Sequence, residues 1–190
     1  MISFLNQEDL ILQLKARNEQ AFRQLIDNCQ DMVFNTVLGI VQDFQEAEDL
    51  AQEVFIQVYH SIEGFRGEAK LQTWIYRIAI TKALDWQRKK KLREGIRTAV
   101  SWLGIGDKSA EPAHFIHPGV QLEQKEKAAA VFKAIQSLPE NQRVCFLLLR
   151  TEGLSYEEVA EILQISIKAV ESLMHRAKEN LRKKLAAERP

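Results

Sequence analysis

Hydrophobic residues recur at intervals of three and four along most of the chain, which predicts an all-α protein. The clearest helical face lies between Asp43 and Ile62. Its apolar positions are Ala47, Leu50, Ala51, Val54, Phe55, Val58 and Ile62. Two helices are predicted before it, within residues 8–38, with Asn18 as the cap between them. A further amphipathic helix is predicted after it, from Leu71 to Arg93.

The C-terminal part, residues 122–190, is predicted to be helical throughout. Ser155 and Glu158 have the spacing of a capping box, which begins a short helix that ends near Leu163. A turn containing the apolar Ile165 follows, and a longer helix is predicted from Ile167 to about 185. A short helix, a tight turn and a long helix form the helix-turn-helix pattern, with a plain helical hairpin as the alternative.

The composition changes between residues 95 and 121, which contain four of the eight glycines and two of the four prolines. We interpret this stretch as a flexible linker, with a short anchored or partner-docked segment around Trp102. The chain is therefore predicted to form two small helical domains, residues 1–94 and 122–190, joined by linker 95–121. The C-terminal domain is the one that contains the helix-turn-helix.

Charge balance and cysteine content exclude several classes of protein. The formal net charge is zero, so no global field attracts nucleic acid or membrane. Cys29 and Cys145 lie far apart in apolar helical contexts, which predicts buried thiols in a reducing compartment. The N-terminus has no signal-peptide pattern and no apolar run reaches the length of a membrane span. A soluble cytoplasmic protein without membrane insertion is expected.

Acidic residues cluster in the first half of the predicted helix after residue 43, with no basic residue among them. They are Asp43, Glu46, Glu48, Asp49 and Glu53. This cluster suits a basic protein surface, although carboxylates near a helix N-terminus also stabilise the helix itself. A metal site is disfavoured because His60 does not complete a Glu-x-x-His motif. Similarly, His114 and His117 have no nearby carboxylate or cysteine to complete a site.

Basic residues dominate the next predicted helix, with eight between Lys70 and Arg93. Trp74, Tyr76 and Trp86 lie among them, behind a loop shaped by Gly64 and Gly67. Cations that neutralise phosphates, together with rings that accept unstacked bases, are typical of a nucleic-acid surface. The alternative is a solvated basic helix whose tryptophans belong to the core.

The second helix of the helix-turn-helix is also basic, with seven basic and three acidic residues between Ser166 and Arg189. Such a helix fits the major groove of DNA, with side chains near its N-terminus at the base edges. The residues predicted to face DNA are Lys168, Glu171, Ser172, His175, Arg176 and Lys178.

Four motifs together resemble the extracytoplasmic-function, or group IV, sigma factors of bacterial RNA polymerase. Residues 43–55 are similar to the polymerase-binding helix of that family, and 65–79 to its segment for −10 recognition and melting. Residues 138–143 and 153–163 resemble its −35-binding domain. The motifs occur in the order and spacing of the family.

The resemblance implies a non-enzymatic initiation factor with no cofactor, which binds core RNA polymerase and promoter DNA and is regulated by an anti-sigma factor. The implied polymerase contacts are Asp43, Glu46, Asp49, Leu50, Gln52 and Glu53. The implied contacts to single-stranded −10 DNA are Phe65, Arg66, Lys70, Trp74, Tyr76, Arg77, Thr81 and Arg88. The basic helix would read duplex −35 DNA. Two departures leave the promoter sequence open: the family often has Asn at the position of Thr81, and Lys/Arg-Ser-Arg at 171–173.

Three other interpretations remain open from the residues alone. A stand-alone helix-turn-helix regulator would use Lys168 to Arg182 but would leave the acidic helix unexplained. An enzyme with a carboxylate–histidine metal site is disfavoured by its incomplete ligand set. A protein-interaction module would use the basic helix to bind an acidic partner.

Overall fold

The structure is a computed structural model that describes residues 7–102 and 131–187 of the chain. Every regular element within those two ranges is helical, as the spacing of apolar residues predicted. None of the described helices is long and apolar enough to cross a membrane.

The first described range contains four α-helices and one short 3-10 turn. They are α1 (Gln7–Lys15), α2 (Glu19–Val41), α3 (Phe44–Ser61), the turn Ile62–Gly64 and α4 (Leu71–Trp102). Asn18 caps α2 as predicted, because its side-chain oxygen accepts a hydrogen bond from the Ala21 amide at 3.0 Å. Asp43 caps α3 in the same way, accepting from the Glu46 amide at 3.2 Å.

Helix α4 is longer than predicted, since it continues past Arg93 to Trp102. Gly95 lies inside it, and no other described part of the chain comes within 4 Å of where its Cβ atom would be. A glycine in a helix interior costs about 1 kcal/mol relative to alanine, and the good helix formers around it offset that cost. Residues 95–102 of the predicted linker are therefore helical, whereas 103–121, with His114 and His117, lie outside the described residues.

The second described range folds into four helices. They are α5 (residues 131–136), α6 (Glu140–Arg150), α7 (Tyr156–Leu163) and α8 (Ile167–Ala187). Helices α7 and α8 form the predicted helix-turn-helix. The capping box is complete, because Ser155 accepts from the Glu158 amide at 3.1 Å and Glu158 accepts from the Ser155 amide at 2.9 Å. Val131 of α5 is 43% exposed.

The two helical halves pack directly on each other in the described structure. Helix α2 contacts α6, and α4 contacts α7. Gly39 of α2 permits one close approach, because a Cβ atom there would lie 3.2 Å from both methyl carbons of Leu147. Buried apolar side chains from both halves join into one hydrophobic cluster. Both cysteines, Cys29 and Cys145, are buried, as predicted.

Candidate nucleic-acid and polymerase interfaces

One side of α3 forms an acidic surface. Asp49, Gln52 and Glu53 are exposed there, and these three residues are called the acidic face below. Leu50 was predicted to contact the polymerase, but it is 5% exposed and packs in the core. Its position on the apolar stripe of α3 explains this, because that stripe faces α2 and α4. Ile56 is 56% exposed beside the acidic face and was missed, although it stands outside the apolar stripe.

Two of the predicted acidic contacts, Asp43 and Glu53, have partners within the protein, and a third, Glu46, is half-buried in the first turn of α3. The Asp43 carboxylate caps α3. Glu53 forms an ion pair with Lys82 of α4, with 3.0 Å between carboxylate oxygen and ammonium nitrogen. Exposed pairs of this kind contribute about 1 kcal/mol or less, so Glu53 can exchange Lys82 for a basic partner.

The loop between α3 and α4 encloses a cavity of about 270 Å³, called the loop cavity below. Its lining residues are Gly64, Phe65, Arg66, Glu68, Ala69, Trp74 and Arg77. Phe65 was predicted to face DNA, but it is 5% exposed and its ring packs 5.2 Å from the ring of Trp74. The loop turns at Gly67, whose φ of 75° suits glycine. Phe65 therefore forms a wall of the cavity, while Arg66 and Lys70 stay exposed at its edge.

A wider open groove of about 680 Å³, called the helix groove below, runs between α3 and α4. Its lining includes Trp74, Arg77, Thr81, Lys82, Trp86, Lys89 and Arg93, with Glu53 on the opposite wall. The Lys90 ammonium lies 4.7 Å from the centre of the Trp86 ring, in a cation–π contact. Trp86, Lys89 and Arg93 belong to this surface, yet the family motif that guided the site prediction ends before them.

Three of the side chains predicted to contact −10 DNA form bonds with the C-terminal half of the protein. Arg77 donates hydrogen bonds to the carbonyl oxygens of Glu161 at 2.7 Å and Ile162 at 3.2 Å, both at the end of α7. Tyr76 is 7% exposed, and its hydroxyl donates a hydrogen bond to the Glu152 carboxylate at 3.4 Å.

Arg88 reaches the same half through Glu140, at 2.5 Å between nitrogen and oxygen, and also pairs with Asp85 on its own helix at 3.3 Å. In this conformation the side chains of Tyr76 and Arg77 are bonded to the C-terminal half, and their contact with −10 DNA stays a prediction. Thr81 remains exposed, with its hydroxyl donating to the Arg77 carbonyl at 2.7 Å.

Burial changes the protonation of the Tyr76–Glu152 pair. Desolvation is the main cause that raises the pKa of Tyr76 far above its ordinary value, and the neighbouring Glu152 carboxylate adds to it. Desolvation also raises the pKa of Glu152, while the Tyr76 hydrogen bond acts in the opposite direction. Burial therefore disfavours the charged form of each group relative to water.

Helix α8, the second helix of the helix-turn-helix, has an exposed polar face. All six residues predicted to face −35 DNA are exposed: Lys168, Glu171, Ser172, His175, Arg176 and Lys178. The helix begins at Ser166, which accepts a hydrogen bond from the Ala169 amide at 3.2 Å. Val170, Met174 and Ala177 are buried on its other side. The amphipathic pattern of α8 thus holds these polar residues in one outward-facing row.

Comparison with known proteins identifies the family of the chain. Residues 25–93 match the family model described as Sigma-70 region 2, and residues 128–181 match Sigma-70, region 4. The RNA polymerase sigma-H factor of Pseudomonas aeruginosa is 33% identical, over 97% of this chain and 96% of that protein. The ECF RNA polymerase sigma factor SigW of Bacillus subtilis is 32% identical, over 92% and 94%. The chain therefore belongs to the sigma-70 family, and within it to the extracytoplasmic-function group.

Solved structures share the fold. CnrH in complex with the cytosolic domain of CnrY matches with a TM-score of 0.70 at 21% identity, covering 96% of this chain and 99% of that one. RpoE of Bartonella quintana, in complex with the anti-sigma factor NepR, matches with a TM-score of 0.59 at 21% identity, over 88% and 98%. Both likenesses agree with the predicted all-α fold of this chain.

Proposed function

We propose that this protein is a sigma factor that joins core bacterial RNA polymerase, recognises −10 and −35 promoter elements and promotes strand opening. One observation carries the proposal: a single chain matches both sigma-70 regions, and each matched region presents a polar surface of the expected sign. A stand-alone helix-turn-helix regulator would use only α8. It would leave the acidic face and the match over residues 25–93 without a purpose.

In this proposal the acidic face binds the polymerase. Asp49, Gln52 and Glu53 are exposed and lie on consecutive turns of α3, where they can meet a basic partner surface. Ile56 adds an exposed apolar side chain next to them. Asp43 and Glu46 contribute by beginning the helix and by their negative charge, and Leu50 contributes by packing that holds the face in place.

The loop cavity would receive an unstacked base of the −10 single strand. Unstacking a base costs a few kcal/mol, and stacking on an aromatic wall returns about 1–3 kcal/mol per base. Trp74 supplies such a wall, while Arg66 and Lys70 at the edge neutralise phosphates. The helix groove, with Lys82, Lys89 and Arg93, would continue the path of the backbone. Strand opening then requires binding energy and no catalysis by the protein itself.

Helix α8 would enter the major groove at the −35 element. Lys168, Ser172 and Arg176 are exposed near its N-terminal half, where a recognition helix meets base edges. Glu171 can accept a hydrogen bond from cytosine N4. We place the protein in the cytoplasm, where polymerase and promoter meet. We also expect an anti-sigma factor as a regulator, a class of partner with which RpoE of Bartonella quintana has been solved.

The test is capture of core RNA polymerase by the protein and by its Asp49→Lys/Glu53→Lys variant. We expect the double charge reversal to abolish capture. The matched control is Asp27→Lys/Asp31→Lys, which reverses two exposed charges at the same spacing on α2. Failure of the folded wild-type protein to bind polymerase would refute the proposal, as would equal loss in both double variants.

A further inference from the structure

We propose that Arg17 is a positioning residue for −10 recognition: its side chain fixes the end of α3 and the turn Ile62–Gly64, and thereby sets the shape of the loop cavity. The inference rests on the proposed function, because it takes the loop cavity as the site that receives an unstacked base. Arg17, Tyr59 and Glu63 are called the Arg17 clasp below. None of these three residues belongs to the sites predicted from the sequence.

Arg17 occupies a backbone position that ordinarily favours glycine. Helix α1 ends in a Schellman motif, in which the Asn18 amide donates to the Gln13 carbonyl and the Arg17 amide to the Leu14 carbonyl, each at 3.0 Å. Arg17 has a left-handed φ of 59° there. This conformation is unfavourable for a residue with a Cβ atom, and glycine is the usual residue at this point of the motif. An arginine held in this conformation points to a role for its side chain.

The side chain of Arg17 reaches from the turn between α1 and α2 to the end of α3. Its Nη1 atom donates to the Tyr59 carbonyl at 2.5 Å, and its Nε and Nη2 atoms donate to the Glu63 carboxylate at 3.1 and 2.8 Å. The guanidinium carbon lies 4.5 Å from the centre of the Tyr59 ring, and Phe22 of α2 packs edge-on against the same ring. The last carbonyls of an α-helix lack partners within it, so Arg17 caps α3 from another element.

The Arg17 clasp ends directly before the loop cavity. Glu63 is followed by Gly64 and Phe65, which line that cavity. The Phe65 amide donates to the Ile62 carbonyl at 3.1 Å, which joins the cavity wall to the turn. Ile62 is 2% exposed, so its burial holds the turn in the core independently of Arg17. Loss of the clasp should therefore keep the fold and change the freedom with which the turn presents Phe65.

The clasp affects DNA binding through pre-organisation of the cavity. A base that enters the cavity needs the rings of Phe65 and Trp74 in their places, 5.2 Å apart. When the loop samples other arrangements in the free protein, the apparent affinity falls with the fraction that is competent to bind. This effect is confined to −10 DNA, because the −35 surface lies on α8.

Arg17→Gly tests the inference, because it removes the side chain and also relieves the left-handed backbone. The matched control is Gln164→Gly, which makes the same change at a φ of 55° in an exposed residue of the helix-turn-helix. In the free protein, hydrogen exchange at residues 63–69 should rise in Arg17→Gly and not in the control.

The effect on DNA is measured with the full-length protein bound to core polymerase. The probe is a single-stranded −10 oligonucleotide from a promoter mapped with this protein. We expect Arg17→Gly to lower the affinity for this strand about fivefold or more, and to change the affinity for −35 duplex by less than about twofold. The Gln164→Gly control should keep the −10 affinity of the wild type.

Glu63→Ala tests the same link without a change at the strained backbone. It removes the carboxylate that accepts two of the bonds from Arg17. We expect a smaller loss of −10 affinity than in Arg17→Gly. The double variant should lose no more than Arg17→Gly alone, because both changes break the same contact.

The outcomes separate the two proposals. If the wild-type protein with core polymerase does not bind the −10 strand, the proposed function itself fails. Unchanged hydrogen exchange at residues 63–69 in Arg17→Gly overturns the role of Arg17, whether or not DNA binds. With an active wild-type protein, three further results each overturn it: an unchanged −10 affinity in Arg17→Gly, an equal loss of −10 and −35 affinity, or additive losses in the double variant.

Discussion

Gln87 of α4 is a hydrogen-bond partner of Arg143 of α6, a charged side chain that is 1% exposed. Replacing Gln87 should therefore destabilise the protein, because Arg143 stays buried with one partner fewer. The side-chain carbonyl oxygen of Gln87 accepts a hydrogen bond from Arg143, and its amide nitrogen donates to the Ile40 carbonyl at 3.2 Å and to Gln136 at 3.1 Å. Gln87→Leu removes all of these bonds within a site that is 7% exposed. The Ile40 carbonyl keeps its bond from the Gln136 side chain at 3.2 Å.

The expected loss of stability follows from the Arg143 guanidinium, which loses its hydrogen bond to Gln87. A lost hydrogen bond to a charged group costs about 1.5–3 kcal/mol, and removing one partner of a buried ionic group costs up to about 5 kcal/mol. The new leucine side chain returns about 1 kcal/mol by apolar burial. The difference between these losses and this gain predicts that Gln87→Leu lowers the free energy of unfolding by roughly 0.5–4 kcal/mol, towards the upper end while Arg143 stays buried and charged.

Urea unfolding followed by circular dichroism measures this loss. Gln72→Leu, an exposed position on the same helix, is the control and should change stability by no more than about 0.5 kcal/mol. The cause is tested by adding Arg143→Met to Gln87→Leu, which should cost much less than the sum of the two single changes. Additive losses, or a Gln87→Leu protein as stable as the Gln72→Leu control, would refute the reasoning.

Two further predictions concern single side chains. Ser155→Ala removes the capping-box acceptor for the Glu158 amide and should cost about 1 kcal/mol of unfolding free energy, whereas Ser172→Ala on the exposed face of α8 should be nearly neutral. Equal effects in urea unfolding would contradict the role of the cap. Glu152 has a pKa raised above its unfolded value of 4.5, so its stabilising contribution is complete below that value and is lost as pH rises through the folded-state pKa. The melting temperature of the Glu152→Gln protein should therefore equal that of the wild type near pH 4 and exceed it increasingly towards pH 8. A difference in melting temperature that does not change with pH would show that Glu152 does not titrate in this way.

Local structure could be predicted from the sequence because its signals are local. Asn18 and Ser155 cap helices through bonds to amides three residues away. The apolar spacing from Ala47 to Val58 fixes which side of α3 is buried. The same spacing predicts that Leu50 is buried, whereas the resemblance to the family led us to predict that Leu50 contacts the polymerase. Periodicity was the better guide to its exposure.

The bonds that join α4 to the C-terminal half could not be predicted, because no local sequence pattern indicates them. Arg77 bonds to carbonyls 84 and 85 positions further along the chain, and Tyr76 to a carboxylate 76 positions away. A basic residue on a helix surface has the same local pattern whether it faces water, DNA or the end of another helix. The burial of Phe65 was missed for a related reason, since a loop has no periodicity that separates wall from surface. The domain limits and the roles of the individual site residues stay predictions.

The length of α4 has a mechanical consequence. A helix of 32 residues is about 48 Å long, and the part beyond Arg88 extends roughly 20 Å past the last described bond to the C-terminal half. Among the described residues, positions 91–98 are all exposed, so this part of α4 is a single helical rod that extends beyond the contact with the C-terminal half. Because a continuous helix is stiff over this length, a force applied near residue 102 would be transmitted to the bonds around Arg88 rather than absorbed by the chain between them.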